Sequence, residues 1–523
     1  WQALFRDQWR DHRSSVSGCC RQLIMIGKQS ERQAGFALLM FLVVMMLVFG
    51  VAGFNFLGSK VKAVNQSKIE HDYEVLKKAR QALLSYAVNY STDDETADMG
   101  RLPCPDYLIG NSEGAQDGNC GRRHINQHGY LPWKTLGIEP LKDSNGECLW
   151  YVVSGDYKGS PRADMLNEDS NGLLQIQDEN GNSYHGADPG NRPIAVIIAP
   201  GATIGGQVRG GVGTNCRADY VEANFLESAG GGLVYSNNHD LDGSGDDADK
   251  IWTYVYGSIS SRLDAVNYND KLIWITKNEY WDAVKAQNDL DAADPASAIN
   301  TLTQEIAECL AAYANHGSNV NGANYRRWLP FPAQVDLIDY RDNNEYTDQA
   351  GRSAGRLPWD IDDSQAAASI DGGNDELFIQ NTIVECAFNL NPSQQALWEN
   401  WKDHFFYVVS QDFAINSATS IDLSTRCKTL GSCITVDGID NQYAAMVFYA
   451  DSIIAPQTRN TDNTTPLDPE EKNLISNYLE ALNAHDYTGI TDNAYRSDVG
   501  DLAYCIRVDT SIVPPTTLIA EPC

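Results

Sequence analysis

Hydrophobic and polar positions change rhythm along this chain, and each change predicts a different element. From Gln33 to Ser59 there are 27 residues without a charge, beginning QAGFALLMFLVVMMLVFGVAGFNF. An α-helix rises ~1.5 Å per residue and needs about 20 apolar residues to cross a bilayer, so this run predicts a membrane-spanning helix. The helix is expected to continue through Asn89 with a second pattern. Val75, Leu76, Ala79, Leu83, Tyr86 and Ala87 recur at three- and four-residue spacing, which predicts one apolar face to cover. Further on, short apolar runs such as Trp150–Val153 and Tyr407–Val409 stand between clusters of Gly, Asn and Asp that read as turns.

An internal duplication organises that later region. The first copy reads LLSYAVNY, GRLPCPD, HGYLPWKTLG and CLWYVVSGDY; the second reads CLAAYANHG, RRWLPFPAQ, AGRLPWDID and FFYVVSQDF. Tyr86 matches Tyr313 and Leu102-Pro103 matches Leu329-Pro330 at an offset of 227, while Leu131-Pro132-Trp133 matches Leu357-Pro358-Trp359 at 226. Ala195–Ile198 matches Ala445–Phe448 more loosely, as Leu272–Ile275 does Leu502–Cys505. So long a period predicts two domains rather than a solenoid. The expected fold class is α+β: a long N-terminal transmembrane and amphipathic helix, then two tandem lobes, each a helix packed on an antiparallel sheet. The helix divides into residues 36–59 and 60–92, the first lobe covers 93–285, a polar linker with Pro295 covers 286–297, and the second lobe covers 298–523. Trp133 and Trp359 read as plugs that hold Pro-bent loops to their cores rather than as walls of a ligand groove.

Charge adds direction and excludes one class of partner. Lys28 and Arg32 precede the apolar run, which places that end in the cytoplasm and the remainder outside. Residues 1–24 precede the first methionine, Met25, and read as a misassigned start or upstream sequence. The chain carries −31; residues 1–35 hold six basic and three acidic residues, so the rest carries −34. Such a surface repels nucleic acid. Ten cysteines follow the helix, an even number in an oxidising compartment, so disulfides are expected. Close neighbours suggest Cys104 with Cys120, Cys427 with Cys433 and Cys505 with Cys523; Cys148, Cys216, Cys309 and Cys386 are left open.

Candidate chemistry is sparse. Asp240, Asp242, Ser244, Asp246 and Asp249 alternate oxygens along a Gly-containing run, the ligand type that Ca²⁺ takes. Ile251 stands where an EF-hand loop has its bidentate Glu, and an acidic run of this kind is more often a solvated turn. Calcium is therefore a candidate cofactor only. His124 and His128 form a close pair bordered by Gly129 and Pro132 and lack the Glu of a metalloprotease motif. No Gly-x-Ser-x-Gly or Walker loop occurs, and no catalytic residue is assigned.

The short basic leader from Met25, MIGKQSERQAG, followed by Phe36 and an apolar helix that becomes amphipathic, resembles the class III signal of type IV pilins and type II secretion pseudopilins. The resemblance implies that a prepilin peptidase cuts between Gly35 and Phe36 and methylates Phe36, and that both lobes are pilin-like. It also implies that other pilin or pseudopilin subunits are the partners, and that the chain moves from the inner membrane, lobes in the periplasm, into a filament. One position departs from the family. Its usual Glu at the fifth mature position is Met40 here. A large subunit without that Glu resembles a minor, tip-located one. The alternatives are a pilus-tip adhesin and a signal-anchored periplasmic hydrolase.

Overall fold

Strand alternation builds the layers of this molecule. β2 (Trp150–Val153) and β5 (Pro193–Ala199) are apolar and buried at every position. Tyr151, Val153, Ala195, Ile197 and Ala199 point into one core, while Trp150, Val152, Val196 and Ile198 point into another. Successive side chains face opposite sides, so such strands need cover on both. With β1 (Gln127–Tyr130) and β7 (Lys271–Thr276) they form an antiparallel sheet in the order β1-β2-β5-β7. A smaller sheet, β4-β3-β6, made from Leu174–Gln177 (β3), Ser183–His185 (β4) and Trp252–Val255 (β6), supplies Leu174, Ile176 and Tyr254 to the outer core.

The structure is a computed structural model. It describes residues 31–93 and most of 100–523; outside lie 1–30, 94–99, 210–215, 217–220, 228–237, 239–250, 257–267, 360–391, 460–470, 485–493 and some shorter loops.

Helices fill the inner core. α1 (Glu31–Asp93) buries Val75, Leu76, Ala79, Leu83 and Ala87 there, with Tyr86 half-buried. Its Asp72, fully buried, pairs with Lys271 at 2.5 Å and so ties the helix to β7. α2 (Lys277–Asn288) starts with Thr276 as its cap, the hydroxyl accepting from Glu279 N at 3.4 Å, and ends at Asp289 in the left-handed region, φ 54°. α3 (Ala298–Asn315) buries Ile299, Leu302, Ile306, Leu310 and Tyr313 at helical spacing. A short hairpin, β8 (Val320–Asn321) with β9 (Asn324–Tyr325), follows.

The same scheme recurs downstream. β10 (Ala354–Arg356), β11 (Phe405–Val409) and β13 (Ile439–Tyr449) run antiparallel, and β15 (Leu502–Val508) with β16 (Leu518–Pro522) extends beyond β13. β12 (Ile434–Val436) and β14 (Ala494–Tyr495) pair along the start of β13, and α4 (Pro392–Trp401) precedes β11. Phe405, Tyr407, Val409, Ala445 and Val447 face the core that α1 and α3 share; Phe406, Val408, Met446 and Phe448 face away. Hydrogen bonds repeat too. Asp106 and Tyr130 exchange two backbone bonds, as do Ala333 and Arg356, and Leu131 N donates to Leu149 O as Leu357 N does to Phe405 O.

Two expectations change. The transmembrane part of the expected fold is corrected: among the described residues no helix is long and apolar enough to cross a membrane. The physical criterion is an unbroken apolar run of ~20 residues, and the described apolar side chains of α1, Leu39–Leu47 and Phe49, do not make one. The plan of separate tandem lobes also gives way, because Lys68–Cys523 forms a single compact unit. Residues 286–297, read as a linker, place Leu290 and Ala292 in the shared core. A lobe here is one half of that unit, not an independent body.

Candidate functional site

Among the described residues, a dense set of chemically capable side chains lies where the two lobes meet. Asp169 comes from the loop before β3; Asp403 and His404 come from the turn between α4 and β11; Lys472 and Arg459 come from loops after β13. Trp401 and Phe405 are core residues, so the short segment between them carries Asp403 and His404 inward with no exposure. Asp169, Asp403 and His404 bring ligand-type atoms within 4.8 Å of one another.

Their neighbours decide what the set does. Lys472 Nζ donates to Asp403 Oδ2 and lies 3.4 Å from Asp169 Oδ2, so an ammonium already holds the place between the carboxylates that a cation would take. His404 Nε2 lies 3.1 Å from Asp169 Oδ2 and its Nδ1 lies 2.7 Å from Ala450 O. Tyr478 Oη donates to Asp403 Oδ2 at 3.2 Å. Burial alone would raise Asp169, but Lys472, His404 and Arg459 hold its carboxyl far below the ordinary carboxylate range. Asp403 is likewise held down against its burial by Lys472 and His404. Lys472 is held above its ordinary value by Asp403, against its own burial. Two carboxylates, two fixed cations and complete burial make an ionic latch closed to substrate, and the donor set does not fit a metal.

Around the latch the first lobe is bolted to the second. Leu166 N donates to Asn400 Oδ1 at 2.7 Å, Asn167 Nδ2 donates to Asn400 O at 2.8 Å and to Asp403 Oδ1 at 2.9 Å, and Lys285, paired with Glu168 at 2.9 Å, donates to Ser452 Oγ at 2.5 Å. Arg356, fully buried, donates to the backbone oxygens of Asp403 and Lys472 and lies 4.5 Å from the ring of Tyr340 and 5.0 Å from those of Phe406 and Tyr478.

The residues singled out from the sequence are dispersed. Disulfides join Cys104 to Cys120, Cys148 to Cys216, Cys427 to Cys433 and Cys505 to Cys523. Asp412 lies beside Cys427 and Cys433, but sulfurs bonded to each other are not metal-binding thiolates. The candidate calcium run Asp240, Asp242, Ser244, Asp246 and Asp249 lies outside the described residues, as does Cys386. Gly35 and Phe36 fall within α1, and Met40 on the same helix is 53% exposed.

His124 and His128 face different partners. His124 Nδ1 lies 2.5 Å from Asp156 Oδ1, and its Nε2 accepts from Arg341 of the second lobe at 3.0 Å; His128 Nε2 lies 2.7 Å from Glu222. Trp359 is buried and stacked on Trp398 at 5.4 Å, whereas Trp133, half-buried, lies over Gly114.

Leu39–Leu47 and Phe49 expose apolar side chains along α1. A groove of ~720 Å³ runs between α1 and the loop after Trp133, lined by Lys78, Ala82, Tyr86, Leu136 and Ile138. Comparison with protein families, with curated proteins and with solved structures finds no match.

Proposed function

We propose that this chain is a minor, tip-located subunit of a type IV pilus or type II secretion pseudopilus, processed by a prepilin peptidase and assembled through α1. The observation that carries the reading is the division of labour along that helix. Its turns from Val75 to Ala87 are spent on the core, while Leu39–Leu47 and Phe49 are left exposed. A continuous exposed apolar stretch of this kind calls for a partner surface, and neighbouring α1 helices of a filament would supply one. Met40 lies in that stretch at the position where the family carries Glu, so contact there would need no buried charge pair. The disulfides suit an oxidising compartment, the periplasm before assembly and the filament afterwards.

A second reading, the pilus-tip adhesin, is favoured by an aromatic cluster on the first lobe. Tyr184, 58% exposed, stacks on Tyr256 at 5.5 Å, and Trp274 stands edge-on to both at 5.7 and 5.5 Å. Both readings share the processing step, which is tested first. Co-expression with a prepilin peptidase should move the amino terminus to Phe36 and add one methyl group by intact mass, and Gly35→Val should abolish both changes and assembly with them. An unchanged mass for the parent chain beside the active peptidase removes the class III assignment.

A further inference from the structure

Each lobe encloses a pair of acidic side chains at the same place in its fold. In the first, Ile204 N donates to Gln207 Oε1 at 3.1 Å, Val208 N to Asn224 Oδ1 at 3.3 Å and Arg209 Nε to Asn224 O at 2.9 Å. In the second, Ile454 N donates to Gln457 Oε1 at 3.1 Å, Thr458 N to Asn477 Oδ1 at 3.2 Å and Arg459 Nε to Asn477 O at 2.6 Å. The short helical turns held this way, Glu222–Asn224 and Ile475–Asn477, lead into Phe225-Leu226-Glu227 and Tyr478-Leu479-Glu480.

Facing each glutamate is the aspartate that precedes a strand, Asp270 before β7 and Asp501 before β15. Asp270 Oδ2 accepts from Glu227 N at 3.1 Å and from Asn238 Nδ2 at 2.9 Å; Asp501 Oδ2 accepts from Glu480 N and from Asn483 Nδ2, both at 3.4 Å. In both pairs the carboxyl groups lie within hydrogen-bond reach of each other. The other oxygen of each aspartate, Oδ1, is buried without a donor among the described residues, and so is Glu480 Oε2.

Among the described residues, the surrounding groups supply no free cation. Arg209 faces the first pair, but its guanidinium is engaged by Glu147 at 3.1 Å. Arg459, its counterpart, turns toward Asp169 and His404 of the latch. Tyr268 Oη beside Asn238, Gln457 Nε2 on Glu480 Oε1 at 3.0 Å, and Asn483, which accepts from Arg496 N, are neutral contacts. Backbone N–H groups of Asn269 and Asp270 donate to Glu227 at 2.9 and 3.0 Å, but no unengaged cation among the described residues offsets the repulsion of two ionised carboxylates in such a space. A proton between them removes one charge and gives the orphaned oxygens a donor.

We propose that each lobe binds one proton between its paired carboxyls, Glu227 with Asp270 and Glu480 with Asp501, and that these shared protons form a duplicated clamp that opens as pH rises. Burial first, and the neighbouring glutamate second, push Asp501 up to about 9; burial also raises Asp270, and Glu227 is raised by burial and by Asp270. A folded-state value above the unfolded one means that the folded protein holds the proton more tightly. The stabilisation is therefore complete below the ordinary carboxylate range of ~4 and is lost as pH rises from there toward about 9. The clamp joins the turn before each glutamate to the residue just before β7 or β15, so its opening would loosen that edge in both lobes at once.

The test uses thermal melts of the full chain at pH 5.5 and pH 9 for the parent, Asp270→Asn, Asp501→Asn and the double variant, since Asn keeps a donor without a proton to lose. The parent should lose melting temperature between the two pH values, each single variant should lose less, and the double variant least. Parallel losses in all four proteins overturn the proposal. A measurement on the parent alone covers variants that fail to fold: its infrared spectrum at pH 7 should contain the C=O band of a protonated carboxyl, which is lost above pH 9, and absence of that band at pH 7 overturns the proposal. Adding Ca²⁺ or Mg²⁺ at pH 8 should leave the parent no more stable relative to the double variant; a selective gain would show that a metal, not a proton, fills the pair.

Discussion

Lys472→Met is expected to cost ~3–5 kcal/mol of unfolding free energy at neutral pH, the usual penalty for removing one partner of a buried ion pair. The substitution keeps most of the side-chain volume and deletes the ammonium that donates to Asp403 and approaches Asp169. Asp403 is left with no exposure and with Tyr478 and Asn167 as its remaining side-chain donors. The pH dependence has a defined sign. Asp169 and Asp403 are held below their ordinary values in the folded chain, so the latch's contribution is present above the unfolded carboxylate range and is lost as pH falls below it. In the variant Asp403 loses the cation that holds it down, protonates more readily, and recovers part of the deficit in acid. Urea unfolding followed by tryptophan fluorescence should show the gap between parent and variant widest near pH 7 and narrowing toward pH 4. Asp403→Asn together with Lys472→Met should recover much of the loss, because Asp169 keeps Arg459 and His404. A single variant within ~1 kcal/mol of the parent at pH 7 would show that the latch is not held by paired charge.

The latch and the carboxyl clamps pull stability in opposite directions with pH. One weakens in acid, the other in base, so the folded chain is expected to be most stable between the two ranges.

These sites differ in how much of them a single chain discloses. The core face of α1 was legible because Val75, Leu76, Ala79, Leu83 and Ala87 obey one short period. The duplication was legible at the Leu-Pro motifs, where its offset holds near 227, and at Tyr151-Val152-Val153 and Tyr407-Val408-Val409, where the residues repeat although the offset has grown to 256. It faded beyond those strands, because the offset keeps shifting, 250 between Gln207 and Gln457, 253 between Glu227 and Glu480, and 231 between Asp270 and Asp501. The repeated signal Asn-Phe-Leu-Glu (224–227) and Asn-Tyr-Leu-Glu (477–480) was present, and would have led to the acid pairs had each segment been aligned by itself. The latch has no such signal. Asp169 and His404 lie 235 positions apart and belong to no shared motif, so only packing brings them together. The supposed linker misled for a related reason: its polarity is that of an exposed turn, yet two apolar residues, Leu290 and Ala292, are enough to seat it against the core.

The duplication makes one further quantitative demand, on a pair of glycines. Gly129 of β1 and Gly355 of β10 occupy equivalent positions, beside the backbone exchange of Asp106 with Tyr130 and of Ala333 with Arg356. A methyl group at Gly355 would lie 1.9 Å from Ala333 O and 3.0 Å from Pro332 Cβ; at Gly129 it would lie 2.8 Å from Asp106 O and 2.9 Å from Tyr107 Cβ. Both obstacles are backbone carbonyls, which cannot swing aside as a flexible side chain can. Gly355→Ala must push β10 off its neighbour, and Arg356, the next residue, has its guanidinium fixed among Tyr340, Phe406 and Tyr478. The expected cost is about 3 kcal/mol or more, at the upper end of overpacking penalties, and Gly129→Ala should cost less, ~1–2 kcal/mol. Paired urea titrations would rank them. Equal losses at the two sites, or a larger one at Gly129, would mean that the crowding around β10 relaxes in a way the equivalent strand of the first lobe does not.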